Sequence, residues 1–301
     1  MTFGSMRIVK SLSLIKTYMR NSMIILTLLL IANTVFSQKE PYVIYNSEGK
    51  KVSYQKMIKT LEKREVILFG ELHDNSIAHW LQYEVTSDLS KSEQLILGAE
   101  MLEADNQIVL NDYLKDSITY EGLDSLARLW PNYKTDYAPL VDFAKKEQLQ
   151  FIATNIPRRY ANLVYRKGFE SLDTLSISEK EWIAPLPIPF DSELPTYKNI
   201  LEMMGEHGSA ELVMAQAIKD ATMAYFILEN YKEDHLFIHY NGAYHSDNYE
   251  GILWYLKRAN NDLRYATIST VSQDSVNVLL QENHRKADFI ICVDSNMTKT
   301  Y

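Results

Sequence analysis

The stretch Val66-Ile67-Leu68-Phe69-Gly70-Glu71-Leu72-His73-Asp74-Asn75 decides how the rest of the chain is read. Four apolar residues run into a glycine, and beyond it stand a carboxylate, an imidazole and two further polar side chains. An apolar run bounded by Lys63-Arg64-Glu65 on one side and Gly70 on the other fits a strand buried on both faces of a parallel sheet. In such sheets ligands gather beyond the carboxyl ends of the strands, so Glu71 and His73 are expected on the floor of a crevice. Extended chain past Gly70 sends side chains two residues apart to one face, so the two are expected to act together.

Working outward, the same design recurs. Gln94-Leu95-Ile96-Leu97-Gly98-Ala99-Glu100 is again an apolar strand, a glycine and a carboxylate, which makes Glu100 the second acidic candidate. His235-Leu236-Phe237-Ile238-His239-Tyr240 leads into Asn241-Gly242-Ala243-Tyr244-His245, a second glycine followed three residues later by histidine. Further strands are expected at 41–45, 149–154, 264–270 and 289–293, and helices at 53–63, 75–89, 105–114, 121–129, 137–148, 157–167, 209–231 and from 246 or 247 to 258. Strands alternating with helices argue for βαβ units and an α/β fold with a mainly parallel sheet. The helix after Asn75 places His79, Gln82 and Tyr83 on one face, one turn from His73. Asn155 closes the 149–154 strand, and Gln216 and Asp220 share a face of the long, largely apolar helix. Between 171 and 208, Pro185, Pro187, Pro189 and Pro195 interleave with Trp182, Phe190, Met203 and Met204, which suits an irregular cap over a pocket and not a sheet element. The expected organisation is a single domain over 39–301 with a cap insertion at about 171–231.

The chain has 301 residues, 46% apolar and 23% charged, an ordinary globular composition, and its net charge of −8 argues against nucleic-acid binding. Arg7, Lys10, Lys16 and Arg20 precede an apolar run from Met23 to Ala32, broken by Thr27 and followed by Val35-Phe36-Ser37-Gln38. Residues 1–38 thus read as a secretory signal, because the run is shorter than the roughly 18–20 residues of a spanning helix. The protein is expected to be exported, periplasmic or outer-membrane associated, with peripheral or no membrane contact once the signal is removed. Its single cysteine, Cys292, sits among Phe289-Ile290-Ile291 and Val293, a buried strand thiol and not a lipobox.

Each of these polar residues has an ordinary structural explanation, yet three strands ending in Glu71/His73, Glu100 and His245 imply one shared site. Two imidazoles and one or two carboxylates suit a metal site, a histidine with a carboxylate orienter, or a paired acid and base. The chain has no compact HExxH or close-set His/Cys pair, so the metal signal rests on residues from separate strands, and with no GxSxG, Walker loop or GxGxxG the serine hydrolase, NTPase and dinucleotide readings lack support.

The two GxxH motifs, the intervening Glu100, the fuller Gly-Glu-Leu-His-Asp-Asn with His79 and Gln82, Asn-Gly-Ala-Tyr-His, and Gln216, Asp220, Met223 and Ala224 resemble the ChaN family of haem-binding uptake lipoproteins, within the Tiki/TraB superfamily. The resemblance covers about 66–256. It implies an α/β domain with a helical cap, haem or iron binding in iron uptake, and a haem-mediated homodimer. Tyrosine ligation of the iron is implied too, with Tyr133, Tyr240 and Tyr244 as candidates. The Tiki relatives imply an alternative, a metal-dependent hydrolase or protease acting on a peptide or small molecule. There His73, His245 and Glu100 would hold a divalent ion, with Glu71 and Glu100 the catalytic carboxylates. The missing lipobox cysteine departs from the lipoprotein pattern.

Overall fold

The computed structural model describes residues 16–21, 23 and 39–301, so the expected signal segment lies outside the described residues apart from its helical piece at 16–21 and 23. From Pro41 onward the chain forms one unit. Its elements are β1 (Tyr42–Asn46), α1 (Tyr54–Leu61), β2 (Val66–Glu71), α2 (Ser76–Leu89), β3 (Gln94–Glu103), α3 (Gln107–Leu114), α4 (Tyr120–Leu126), α5 (Ala138–Lys146), β4 (Gln150–Asn155), α6 (Arg158–Lys167), α7 (Ile177–Lys180), α8 (Pro195–Met204), α9 (Ala210–Asn230), β5 (His235–Gly242), α10 (Ile252–Ala259), β6 (Tyr265–Gln273) and β7 (Phe289–Asp294). Among the described residues no helix is long and apolar enough to cross a membrane.

The strands form one sheet in the order β1-β7-β6-β2-β5-β3-β4. Every neighbouring pair is parallel except β1 with β7. The fold is thus the mainly parallel α/β sheet flanked by helices that the alternating pattern implied. Strand periodicity divides the core. Ile67 and Phe69 of β2 enter one cluster with Leu81 and Val85 of α2 and Val141 of α5. Their neighbours Val66 and Leu68 enter the other, with Val164 of α6, Ile218 and Ile227 of α9, and Leu253 of α10. Because helices cover both faces, β2 is buried along its whole length, as its unbroken apolar run required. Cys292 is likewise buried and free in β7, as read from the sequence.

Caps fix where the helices begin. Ser53, Asn75 and Ser209 each accept a backbone N–H two or three residues into α1, α2 and α9. Pro139 occupies the first turn of α5, where its missing N–H costs nothing.

Four expectations need correction. Gly70 and Gly98 do not end their strands: β2 runs on to Glu71 and β3 to Glu103, placing Glu71 and Glu100 on strand backbone, whereas β5 does end at Gly242. The helix expected from 246 or 247 begins only at Ile252, because Asn248 and Tyr249 take left-handed backbone (φ 60° and 62°) that a right-handed helix cannot continue. The helix expected to reach 129 stops at Leu126. Within 171–208 the chain is not wholly irregular, since α8 starts at Pro195, and α9 packs on the sheet and on α6 and α10.

Candidate functional site

The carboxyl ends of β2, β5 and β3, adjacent in the sheet, open into a cleft of about 1130 Å³. Its walls include Glu71, His73, Glu100, Trp130, Asn155, Met203, Met204, Gln216, Lys219, Gly242, Tyr244 and His245. Strand register explains the meeting. Glu71 pairs across β2 and β5 with Gly242, and the β3–β4 pairing shifts register between Ala99 and Glu103. That irregularity surrounds Glu100, whose Oε2 accepts the Gly242 N–H at 2.7 Å.

One side of the cleft is built on Glu71. Its Oε1 accepts from the Tyr137 hydroxyl (2.8 Å) and lies 2.9 Å from His73 Nδ1. Its Oε2 accepts from Gln82 Nε2 (2.6 Å). His79 supports the arrangement from behind, with Nε2 at 3.1 Å from the His73 carbonyl. Asn132 donates to that same carbonyl (3.1 Å) and to Asp136 (2.6 Å). Facing a carboxylate, His73 Nδ1 carries the proton, leaving Nε2 for the cleft. Burial disfavours the charged ring, but the Glu71 hydrogen bond and the charges of Glu100 and Glu71 outweigh it and raise the His73 pKa. Trp130 meets this ring edge-on at 4.9 Å.

The other side is built on His245, which two carboxylates clasp. Asp220 Oδ1 lies 2.5 Å from Nδ1, and Glu100 Oε1 lies 3.2 Å from Nε2. Burial opposes charge on this ring, yet Glu100 and Asp220 push its pKa up to about 9. Against its own burial, Glu100 is held well below the usual carboxylate range by His245, His73 and the Gly242 N–H. Asp220 is raised, its complete burial outweighing the attraction of His245. Gln216 Nε2 stands 2.9 Å from His245 Nδ1, and the Tyr197 hydroxyl donates to Asp220 (3.3 Å). The expected face of the long helix therefore does converge on the second histidine. Asn155 donates to the Glu100 carbonyl (2.9 Å), while its Oδ1 is buried without a partner.

Two sequence candidates fall away as ligands. Tyr240 is fully buried among Phe69 and Phe151, with its hydroxyl on Thr86. Tyr133 is buried against Tyr120 and does not line the cleft. Tyr244 alone of the three lines it, half exposed, with its hydroxyl 3.4 Å from Met203 Sδ. The expected metal set is corrected as well: among the described residues no three His, Cys, Asp or Glu side chains are arranged to hold an ion. The reason is local, since both ring nitrogens of His245 already face carboxylates and Glu100 Oε2 already accepts a backbone N–H.

Sequence reading passed over several contributors. Asn132 and Asp136 are an i,i+4 pair of the kind that signals a shared contact, and Tyr137 follows directly. His239, wholly buried between Thr154 (2.7 Å) and Asn241 (3.1 Å), is pushed down to about 4 by burial and stays neutral beneath the site. Tyr197 gave no signal in its proline-rich surroundings.

Comparison with known proteins now bears on the site. Residues 57–256, from α1 to α10, match the family described as haem-binding uptake, Tiki superfamily, ChaN. Among solved structures, the chain is similar to that of cofacial haem binding to ChaN of Campylobacter jejuni, at 19% identity, covering 85% of this chain and 99% of that one with a TM-score of 0.64. This likeness speaks for the fold. Looser likenesses, both at a TM-score of 0.49, are to a succinoglycan biosynthesis protein (13% identity, 84% and 94% covered) and to an erythromycin esterase mutant in its open conformation (11% identity, 85% and 98% covered). At that depth no functional argument follows. No curated protein matches the chain. On the span of the family match, the chain belongs to the ChaN family of haem-binding uptake proteins in the Tiki superfamily.

Proposed function

We propose that this chain is an exported haem-binding protein serving iron uptake. The observation that carries the reading is the wall of the cleft formed by Trp130, Met203, Met204 and Tyr244, which lies inside the family match and leaves both methionines and the tyrosine exposed. Exposed methionine and aromatic surface is costly in water and suits the faces of a flat conjugated macrocycle. The donor set fits as well. The Tyr244 hydroxyl would hold iron, and Arg158 and Lys219, which also line the cleft, would take the carboxylates of the macrocycle. When bound, haem supplies the iron itself as cargo; the protein's residues grip and orient it. Adding hemin to the purified mature protein should give a saturable Soret shift that weakens in Tyr244→Phe. An unchanged spectrum rejects the reading.

A second reading, hydrolysis, is favoured by one observation. The cleft holds His73, with Nδ1 fixed by Glu71, and His245, paired with Glu100, around the Gly242 backbone. Haem binding gives no physical reason for two carboxylate-paired imidazoles to meet, whereas acid–base chemistry on an ester or amide uses such pairs. Turnover on peptide and ester panels, with and without added Zn, Mn, Co or Fe, is the measurement. Under this reading His73→Ala abolishes turnover while leaving hemin binding in place, and an inactive wild type across all panels removes it.

A further inference from the structure

Residues 297–301, beyond the end of the family match at 256, return from β7 to the cleft. Lys299 bridges to Asn75, and its Nζ lies 2.6 Å from Asp74 Oδ2. Ser76 Oγ donates to the Thr298 carbonyl (3.2 Å), and the Thr300 N–H donates to the Asp74 carbonyl (3.0 Å). The segment is thereby strapped to the loop that directly follows His73. Its reach goes further. The Thr300 hydroxyl donates to Asp136 Oδ2 (2.7 Å), the same oxygen that receives Asn132 Nδ2, and Asn132 in turn holds the His73 carbonyl. Next to it Tyr301, largely exposed, lines the cleft together with Trp130 and Tyr244.

We propose that this strap is a working wall of the site: Thr300 is a positioning residue for His73, and Tyr301 supplies an aromatic surface to a flat conjugated ligand. The Tyr301 role rests on the haem reading; the Thr300 role does not. The hydroxyl acts through Asp136 and Asn132, so its loss slackens one of the two supports of the His73 carbonyl, the other being His79, and loosens the Glu71–His73 hydrogen bond. Among the described residues, Glu100, Asp220 and Gln216 give His245 no hydrogen-bonded path to the strap, so it serves as the internal control.

The experiment compares the full mature chain with Thr300→Val and Thr300→Ser at one fixed pH, reading the ring nitrogen and N–H signals of both histidines by NMR. Thr300→Val is expected to move the His73 Nδ1–H signal toward that of a weaker hydrogen bond, Thr300→Ser to restore it, and His245 to stay put in both. A His73 signal unchanged by valine, or not rescued by serine, overturns the positioning role. In parallel, hemin is titrated into Tyr301→Ala and Tyr301→Phe. Alanine is expected to weaken binding roughly three- to tenfold and phenylalanine to retain it. Equal affinity of the alanine variant and wild type overturns the aromatic wall. A wild type with no Soret shift defeats the haem reading and the Tyr301 wall with it, while the ring signals still decide the role of Thr300.

Discussion

His73 and His245 line one cleft, and their surroundings make them different instruments. His73 keeps 41% of its side chain exposed and leans on one carboxylate, whereas His245 is 7% exposed and lies between two. A ring with one fixed nitrogen and one free nitrogen at a cleft can meet a ligand. A ring with both nitrogens committed in the interior is a charged strut that keeps two acids from facing each other unpaired. The same residue type, introduced by the same glycine-to-histidine spacing, therefore meets the cleft in one case and ties buried acids together in the other.

The largest effect should come from the strut. His245→Ala leaves Glu100 and Asp220 buried without their cation, and should destabilise the fold by about 3–5 kcal/mol in urea unfolding. His73→Ala, at the partly exposed position, should stay within about 1 kcal/mol of wild type. Equal losses in the two variants would erase the contrast between the two rings.

pH offers the next test. The His245 pKa in the fold, about 9, stands above its ordinary value of 6.5. Its contribution is therefore complete below about 6.5 and disappears as pH rises through about 9. Wild-type stability should fall across that window, and the slope should flatten in His245→Ala. A slope unchanged by the substitution would mean that the ring is not the titrating group.

Gly242→Ala should separate the two sides at intermediate cost. A Cβ there would stand 2.8 Å from Cε1 and Nε2 of His73 and 3.5 Å from Glu100 Oε2. The ring can yield because it is partly exposed, so about 1–3 kcal/mol is expected. His73 ring signals should shift while those of His245 hold.

The smallest effect belongs to Asp247, a buried acid without two partners of opposite charge. It accepts from the Ser269 hydroxyl (2.6 Å) and keeps Lys286 at 3.8 Å, and burial pushes its pKa up to about 6. A raised acid contributes below its ordinary value and loses that contribution as pH climbs through about 6. Asp247→Asn should thus gain roughly 1 kcal/mol at pH 8 and nothing at pH 4, by thermal unfolding.

How far the chain could be read without coordinates follows the same division. Period and burial made the strands legible: Val66 to Phe69 could only be covered on both faces, and Glu71, Glu100 and His245 emerged because strand ends project into one crevice. Gln216 and Asp220 were visible as polar residues on an apolar helix. What stayed hidden depended on distance in sequence or on backbone detail. Nothing near Tyr137 announces its hydroxyl bond to Glu71, and nothing near Thr300 announces Asp136. The left-handed turn at Asn248 and Tyr249 replaced a helix that periodicity favoured, since a two-residue change of handedness leaves no trace in hydrophobic spacing. Among the tyrosines, composition could not separate Tyr240 in the core from Tyr244 at the mouth; only the alternation of β5 and the turn after it does so.

The lone thiol of Cys292 has a practical corollary. Packed inside β7, with burial pushing its pKa up to about 11, it will ignore maleimides and spin labels under native conditions. A cysteine placed by Met203→Cys at the exposed mouth of the cleft would then be the sole reactive handle on the described molecule. Fluorescence quenching or electron resonance from that one point could follow occupancy of the cleft without rebuilding the rest of the chain.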